Sequence, residues 1–334
     1  MIKSFAHIRW GIGAAGLGLL LSLAACAAAP SQAAGASTQT APAAADTPAP
    51  APAETAAAPA QPSPAQPTAE PPVPSPTPPP APTPAADTRP DPARWSEWPV
   101  IPTLSATARQ IYEYGQAQGM HAQRFSSVGD CQSEPNVFMG IYATDRYWLG
   151  DQYQYLQETI DYFGEGFEHQ SAAVRDGLSA PTALSPMWAD KTLCQSDESP
   201  VACELRLYQP AFVFINLGTN WKAGASAARY EQYLRQIVDQ VIRAGALPIL
   251  STKADNVEGD HSLNRATAQV AHDYDVPLWN FWLAAQSLEN GGLDPERDNI
   301  YLSFPDGWDR RNFTGLQSLD AVRRALFNLP QPAP

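Results

Sequence analysis

The stretch Ala211–Leu217 constrains the fold of this chain more than any other part of the sequence. Its residues, Ala-Phe-Val-Phe-Ile-Asn-Leu, form an almost continuous apolar run that stops at Gly218. Such a run is typical of a strand that is covered on both faces, as in a parallel sheet between layers of helices. The sequence therefore predicts an α/β domain that is built around this strand.

Helical and strand patterns alternate on both sides of this run. The clearest helix is Ala227–Ala244, which has apolar residues at helical spacing and Gly245 as its stop. Alternation of this kind predicts a parallel sheet with right-handed crossovers and helices on both faces, a three-layer flavodoxin-like architecture. The remaining predicted elements are helices at 105–118, 153–163, 261–274 and 316–326 and strands at 125–128, 247–250 and 276–281.

Polar turns follow three of the predicted strands. In open α/β sheets, ligands bind at the carboxyl ends of the strands near a topological switch point. The turns are Gly129-Asp130-Cys131, Gly218-Thr219-Asn220 and the segment 251–256, which includes Asp255. We therefore expect Asp130 and Asp255 to contact a ligand at this edge of the sheet, although Asp130 and Asn220 are also suited to capping helices.

The first two turns resemble the motif blocks of the SGNH (GDSL-type) hydrolase superfamily, which this chain resembles from about Phe125 to Leu326. Cys131 stands in the place of the family's nucleophilic serine. The resemblance implies an oxyanion hole formed by the backbone N–H groups of Cys131 and Gly177 with the side chain of Asn220. The final Asp-x-x-His block corresponds to Asp298-Asn299-Ile300-Tyr301, so that Tyr301 replaces the histidine.

The resemblance implies hydrolysis of an ester, either an O-acyl group on a carbohydrate or a lipid ester, by an altered triad. A cysteine at a helix start has a lowered pKa and needs less help from a base than serine does. Tyr301 is a poor general base at neutral pH, and His261, after Asp260 at the same edge of the sheet, is a candidate substitute. The alternative hypothesis is a non-catalytic ligand- or glycan-binding protein that keeps the fold and the cleft.

The N-terminal region predicts export and lipid anchoring. Lys3 and Arg9 precede a short apolar run that ends at Leu23-Ala24-Ala25-Cys26, which resembles a bacterial lipobox. We expect residues 1–25 to be a signal peptide, and Cys26 to anchor the protein to the membrane on its extracytoplasmic side. Residues 26–94, rich in proline and alanine, form a predicted disordered tether, and residues 95–334 form the hydrolase-like domain.

Charge and cysteine content narrow the remaining possibilities. A net charge of −13 argues against a nucleic-acid partner, and the histidines and cysteines show no metal-ligand spacing, so we expect no metal and no cofactor. Cys194 and Cys203 flank a short polar loop and form the predicted disulfide of this exported protein. Cys131 is then the expected unpaired thiol, and the oligomeric state is left open.

Overall fold

A computed structural model describes residues 89–222, 224–330 and 332. The predicted signal peptide, the lipidation site Cys26 and nearly all of the tether lie outside these residues. Within the described part of the chain, no helix is both long enough and apolar enough to cross a membrane.

The described residues form one parallel sheet with the strand order β1-β2-β3-β4. A short bridge extends this sheet beyond β1, where Gly129 pairs in parallel with Val174. The Val174 segment therefore lies on one side of β1 and β2 lies on the other side, which makes the carboxyl end of β1 a topological switch point. If Val174 is counted as the second strand, the order is that of a flavodoxin-like sheet, 2-1-3-4-5. The strands are β1 (His121–Gly129), β2 (Pro210–Asn216), β3 (Leu247–Ser251) and β4 (Leu278–Trp279).

Helices cover both faces of the sheet. The α-helices of the described residues are α1 (Ala106–Ala117), α2 (Gln157–Phe163), α3 (Ala180–Ala183), α4 (Pro200–Tyr208), α5 (Ala227–Ala244), α6 (Ser262–Tyr274), α7 (Phe281–Ala285) and α8 (Asp306–Leu326). Short 3-10 helices occur at Pro92–Glu97, Cys131–Ser133, Gly140–Ala143, Asp151–Leu156, Gly164–Glu168, Pro186–Trp188, Glu289–Gly292 and Pro295–Arg297.

The side chains of β1 and β2 show which helices form each layer. Phe212 in β2 contacts Tyr112 of α1, with ring centroids 5.5 Å apart, and Phe163 of α2, with centroids 5.6 Å apart. On the opposite face, Ser126 in β1 donates a 2.7 Å hydrogen bond from Oγ to Glu204 of α4. The predicted three-layer α/β fold is confirmed.

Helix α5 has the predicted bounds, with Ser226 as its N-cap and Gly245 as its left-handed C-cap at φ 93°. Helix α8 is much longer than predicted, because it begins at Asp306 rather than near Leu316. The first turns of α8 are rich in charged residues and show no apolar stripe. The sequence therefore predicts the helix only from Leu316 onward, and the first turns carry Arg311, which lines the site.

The segment that precedes α1 packs against the end of β4. Asn280 donates from Nδ2 to the carbonyl oxygens of Trp95 and Trp98 at 3.0 and 2.9 Å, and from its backbone N–H to Val100 at 3.1 Å. Because Asn280 bonds to this segment, the predicted strand over 276–281 is reduced to the two residues of β4.

Candidate functional site

Two glycines bring the turns after β1 and β2 close to their neighbours. A Cβ at Gly129 would lie 2.2 Å from Oγ of Ser133, and a Cβ at Gly218 would lie 2.9 Å from Cδ of Lys253. The backbone of Gly218 also has φ 125°, which residues other than glycine rarely adopt. Glycine at these positions therefore lets the polar ends of the strands meet in one small space.

Asp130 lies at the centre of this space. Its Oδ1 accepts a 3.0 Å hydrogen bond from the N–H of Gln132, and its Oδ2 accepts a 2.9 Å hydrogen bond from Nδ2 of Asn220. The sequence-predicted residues Asp130 and Asn220 are thus brought into direct contact across the ends of two strands. Each carboxylate oxygen has a second lone pair and can accept one more hydrogen bond.

Burial raises the pKa of Asp130 to about 6, and the charge of Arg311 and the N–H of Gln132 oppose this rise only in part. A carboxyl group that titrates near neutral pH in a cleft is a common feature of catalytic sites.

Asp255 and Lys253 form the second charged group of the site. Lys253 donates from Nζ to Oδ1 and to the carbonyl oxygen of Asp255 at 2.6 and 2.9 Å, and to Oε2 of Glu258 at 2.6 Å. Thr219 donates from Oγ1 to Oδ2 of Asp255 at 2.7 Å. Asp255, for which the sequence predicts contact with a ligand, lines this pocket and is paired with a lysine whose three N–H donors are all used.

Arg311 of α8 supplies a third charge that the sequence analysis did not identify. Its side chain is buried, and its guanidinium carbon lies 5.0 Å from the ring centroid of Phe138 and 5.7 Å from that of Phe281. Burial lowers the pKa of Arg311 to about 10, while the charges of Asp130 and Asp255 act in the opposite direction. The guanidinium thus remains a cation at neutral pH.

These groups line one narrow pocket at the carboxyl ends of the strands. The free space of the pocket is about 20 Å³, enough for roughly one or two water-sized groups. Its wall combines charged and amide side chains with the apolar residues Phe281, Leu293, Ile300 and Leu302. Two buried polar atoms of the wall, Nε of Arg311 and Oδ1 of Asn216, have no hydrogen-bond partner.

Cys131 follows Asp130 and is partly buried, but its sulfur is in a disulfide. The expectation of an unpaired Cys131 thiol is therefore contradicted, and there is no free cysteine in the part of the chain that the structure describes. The expectation rests on the odd number of cysteines that remains once Cys26 is assigned to lipid.

The residues of the predicted acid-base end lie beside the turn after β1. Gln132 donates from Nε2 to the carbonyl oxygen of Ile300 at 3.2 Å, which places Tyr301 next to the Cys131 turn. The guanidinium of Arg297 stacks on the ring of Tyr301, 3.9 Å from its centroid. Asp298 is exposed in a left-handed conformation with φ 58°, and no hydrogen bond joins it to Tyr301.

The predicted oxyanion donors Asn220 and Gly177 lie near each other, but the side-chain N–H groups of Asn220 are already hydrogen-bonded. Nδ2 of Asn220 donates to Leu178 at 3.3 Å in addition to Asp130, so both of its N–H groups are engaged. Gly177 directly precedes Leu178 and has φ 73° on an exposed turn. In this structure, Asn220 positions Asp130 rather than presenting an open N–H.

His261 does not reach the pocket. Its ring packs against Trp95 and Trp282, with centroids 5.9 and 5.6 Å apart, and it caps the start of α6. The described residues that line the pocket include no histidine, so the substitute base suggested by the sequence is not brought to Asp130.

The predicted disulfide between Cys194 and Cys203 is confirmed, with Cα atoms 5.3 Å apart. The two sulfurs and Glu198 are the one group of potential metal ligands among the described residues. Because these sulfurs are bonded to each other, the group does not serve as a metal site.

The charged and amide pocket residues that the sequence does not predict as site residues are Gln132, Asn216, Lys253 and Arg311. Lys253 lies in the polar turn after β3, and the acidic residues Asp255 and Glu258, two and five positions further along the chain, are a sequence signal for its ion pairs. Arg311 had no such signal, because a single arginine in a charged stretch gives no indication of burial.

No family model matches this chain, and no curated protein sequence is significantly similar to it. Among solved structures, it is similar to a GDSL-like lipase from Bacteroides thetaiotaomicron, with 15% identity and a TM-score of 0.37 over 64% of this chain and 98% of the lipase. A lipase/acylhydrolase from Enterococcus faecalis is 16% identical, with a TM-score of 0.38 over 63% of this chain and 98% of the enzyme.

A psychrotrophic esterase from Pseudoalteromonas is also similar, with 17% identity and a TM-score of 0.38 over 62% of this chain and 100% of the esterase.

Proposed function

We propose that this protein hydrolyses an ester at the pocket between β1, β2 and β3, on the extracytoplasmic side of a membrane to which it is anchored through Cys26. The observation that carries the proposal is the convergence of three strand-end turns on Asp130, a buried carboxyl group whose pKa lies near 6. A carboxylate at this pKa is suited to general-base catalysis near neutral pH.

In the proposed reaction, Asp130 accepts a proton from a water molecule as the water oxygen attacks the ester carbonyl. The tetrahedral intermediate then breaks its bond to the alcohol oxygen, and Asp130 returns the proton to that oxygen. The products are a carboxylic acid and an alcohol. This route does not use the Cys131 sulfur, which is in a disulfide, and it does not require a histidine.

The Pro/Ala-rich tether supports a substrate in the surrounding layer rather than in the cytoplasm. A random coil of the predicted tether's length has a root-mean-square span of roughly 45 Å, and a polyproline II bias would lengthen it. The proposed substrate is an O-acyl group on a carbohydrate or a lipid ester.

A second candidate function is ligand binding without turnover. It is favoured by the disulfide at Cys131 and by the absence of histidine from the pocket residues in the described ranges. In that case the pocket binds an ester or its acid product, and Asp130 serves only to bind it.

Hydrolysis of activated esters with short and long acyl chains by the full-length protein tests the proposal. We expect Asp130→Asn to lower the rate by about 10²- to 10⁴-fold, the usual contribution of a general base. Asp260→Asn is the matched control. Asp260 is exposed and accepts the N–H of Ser262 at 3.0 Å, as Asp130 accepts that of Gln132, but it does not line the pocket.

Cys131→Ala distinguishes the two routes to hydrolysis. Turnover that survives this substitution supports attack by a water molecule. Loss of turnover in a variant that still unfolds at the wild-type temperature refutes the role given to Asp130. Wild-type turnover equal to that of Asp130→Asn on every ester favours the binding function instead.

A further inference from the structure

We propose that Arg311 makes the pocket a binding site for a carboxylate monoanion, so that the natural ester carries a free carboxylate close to its ester bond. The substrate class rests on the proposed function, but the anion site itself does not.

Aromatic rings, rather than hydrogen bonds from its N–H groups, hold the guanidinium of Arg311 in place. Phe138 and Phe281 lie 5.0 and 5.7 Å from its central carbon, as in stacked cation–π arrangements. Its Nε is buried without a hydrogen-bond partner, and no carboxylate of the described residues forms an ion pair with it. The planar edge that binds oxyanions is thus left open in the pocket wall.

Arg324, on the same helix, shows what a structural arginine looks like in this protein. It is equally buried, yet Nε donates to Asp320 at 3.0 Å and the terminal nitrogens donate to Pro330, Tyr155 and Glu158 at 2.9 to 3.0 Å. A buried cation without such partners destabilises the fold. The difference between the two arginines indicates that a ligand completes the contacts of Arg311.

The other charges of the pocket select the kind of anion. Lys253 has no donor left, because Asp255 and Glu258 accept all three of its hydrogen bonds. Among the described residues that line the pocket, Arg311 is therefore the cation that still has N–H donors without an acceptor. Asp130 and Asp255 line the same space, so a second negative charge on the ligand is disfavoured, and a carboxylate fits better than a phosphate dianion.

The shape of the pocket agrees with this class of ligand. The free space of about 20 Å³ admits the two oxygen atoms of a carboxylate, with the rest of the ligand at the mouth of the pocket. Leu293, Ile300 and Leu302 lie on the same wall and offer apolar contact to a short carbon chain next to the carboxylate.

Calorimetric titration of the full-length protein with propionate, with the isosteric neutral amide propionamide and with inorganic phosphate tests the site. We expect saturable binding of propionate, at least about tenfold weaker binding of propionamide, as for loss of a charged hydrogen bond, and weaker binding of phosphate. Arg311→Gln and Arg311→Met should abolish propionate binding. Arg265→Gln removes an exposed charge on α6 and should leave it unchanged.

Thermal unfolding of the same variants separates a ligand site from a structural one. Arg311→Met loses the attraction to Asp130 and Asp255 but no hydrogen bond to a described residue, so it should lower the unfolding temperature less than Arg324→Met does. Propionate binding that survives Arg311→Gln, tighter binding of phosphate than of propionate, or an Arg311→Met variant as unstable as Arg324→Met overturns the proposal. If propionate binding depends on Arg311 but no ester is hydrolysed, only the proposed function fails.

Discussion

Replacing Asp130 with asparagine should stabilise the protein at neutral pH while removing its proposed activity. Burial raises the pKa of Asp130 from 3.8 to about 6, so the folded state favours the neutral carboxyl group relative to the unfolded chain. A rise of this size corresponds to about 3 kcal/mol of unfolding free energy at pH 7. Asparagine carries no charge and avoids this cost, and its oxygen can still accept the N–H of Gln132.

The pH dependence gives the sign of the effect. The folded state holds the Asp130 proton more tightly than the unfolded chain, so this contribution to stability is complete below pH 3.8 and is lost as the pH rises through about 6. Urea unfolding at pH 4 to 8 should therefore show wild type and Asp130→Asn converging near pH 4. As the pH rises, the unfolding free energy of the variant should increasingly exceed that of wild type, and the difference should level off above pH 7.

Two further variants sharpen this test. Asn in place of Asp130 turns an N–H toward that of Asn220, and the double variant Asp130→Asn with Asn220→Asp restores a donor–acceptor pair there. Asp260→Asn should show the opposite trend, because hydrogen bonds from Ser262 lower the pKa of Asp260. If Asp130→Asn and the double variant are both less stable than wild type at pH 7, or if their difference from wild type is the same at pH 4 and pH 8, the carboxylate is not buried as described.

Three other predictions concern the rest of the chain. Replacing Cys194 and Cys203 together with serine should lower the unfolding free energy by about 2 to 3 kcal/mol on the chain-entropy model, as measured by urea unfolding, and an unchanged midpoint would contradict it. Ser126→Ala removes a 2.7 Å hydrogen bond to the buried Glu204, and should cost about 1.5 to 3 kcal/mol in the same assay, whereas a loss below about 0.5 kcal/mol would refute the role given to this bond. Cys26→Ser should release the protein from the membrane fraction, and firm retention of the variant would show that the lipobox interpretation is wrong.

The fold could be predicted from the sequence because its strongest signals are local. The apolar run of β2 and the amphipathic pattern of α5 depend only on neighbouring residues, and Gly245 marks the end of α5 with its left-handed conformation. The first half of α8 could not be predicted in this way. It is helical because it packs against α7 and the loop near Gly292, which is a tertiary effect.

The site could be predicted only as far as the sheet topology determines it. The turns that contain Asp130, Asn220 and Asp255 meet because parallel strands bring their carboxyl ends to one edge. The position of Arg311 depends on where a distant helix packs, and the separation of His261 from the pocket depends on its aromatic neighbours Trp95 and Trp282. Neither contact leaves a pattern in the sequence.

The pH dependence of kcat/KM for a short-chain ester, measured with wild type and with Asp130→Asn, tests the central claim most directly. Because a general base must be ionised to accept a proton, the wild-type rate should rise as the pH increases through about 6 and then level off. The variant should be slower by about 10²-fold or more on the plateau and should lack this rise. Equal rates for the two proteins across pH 5 to 8 would contradict the assignment of ester hydrolysis to this pocket.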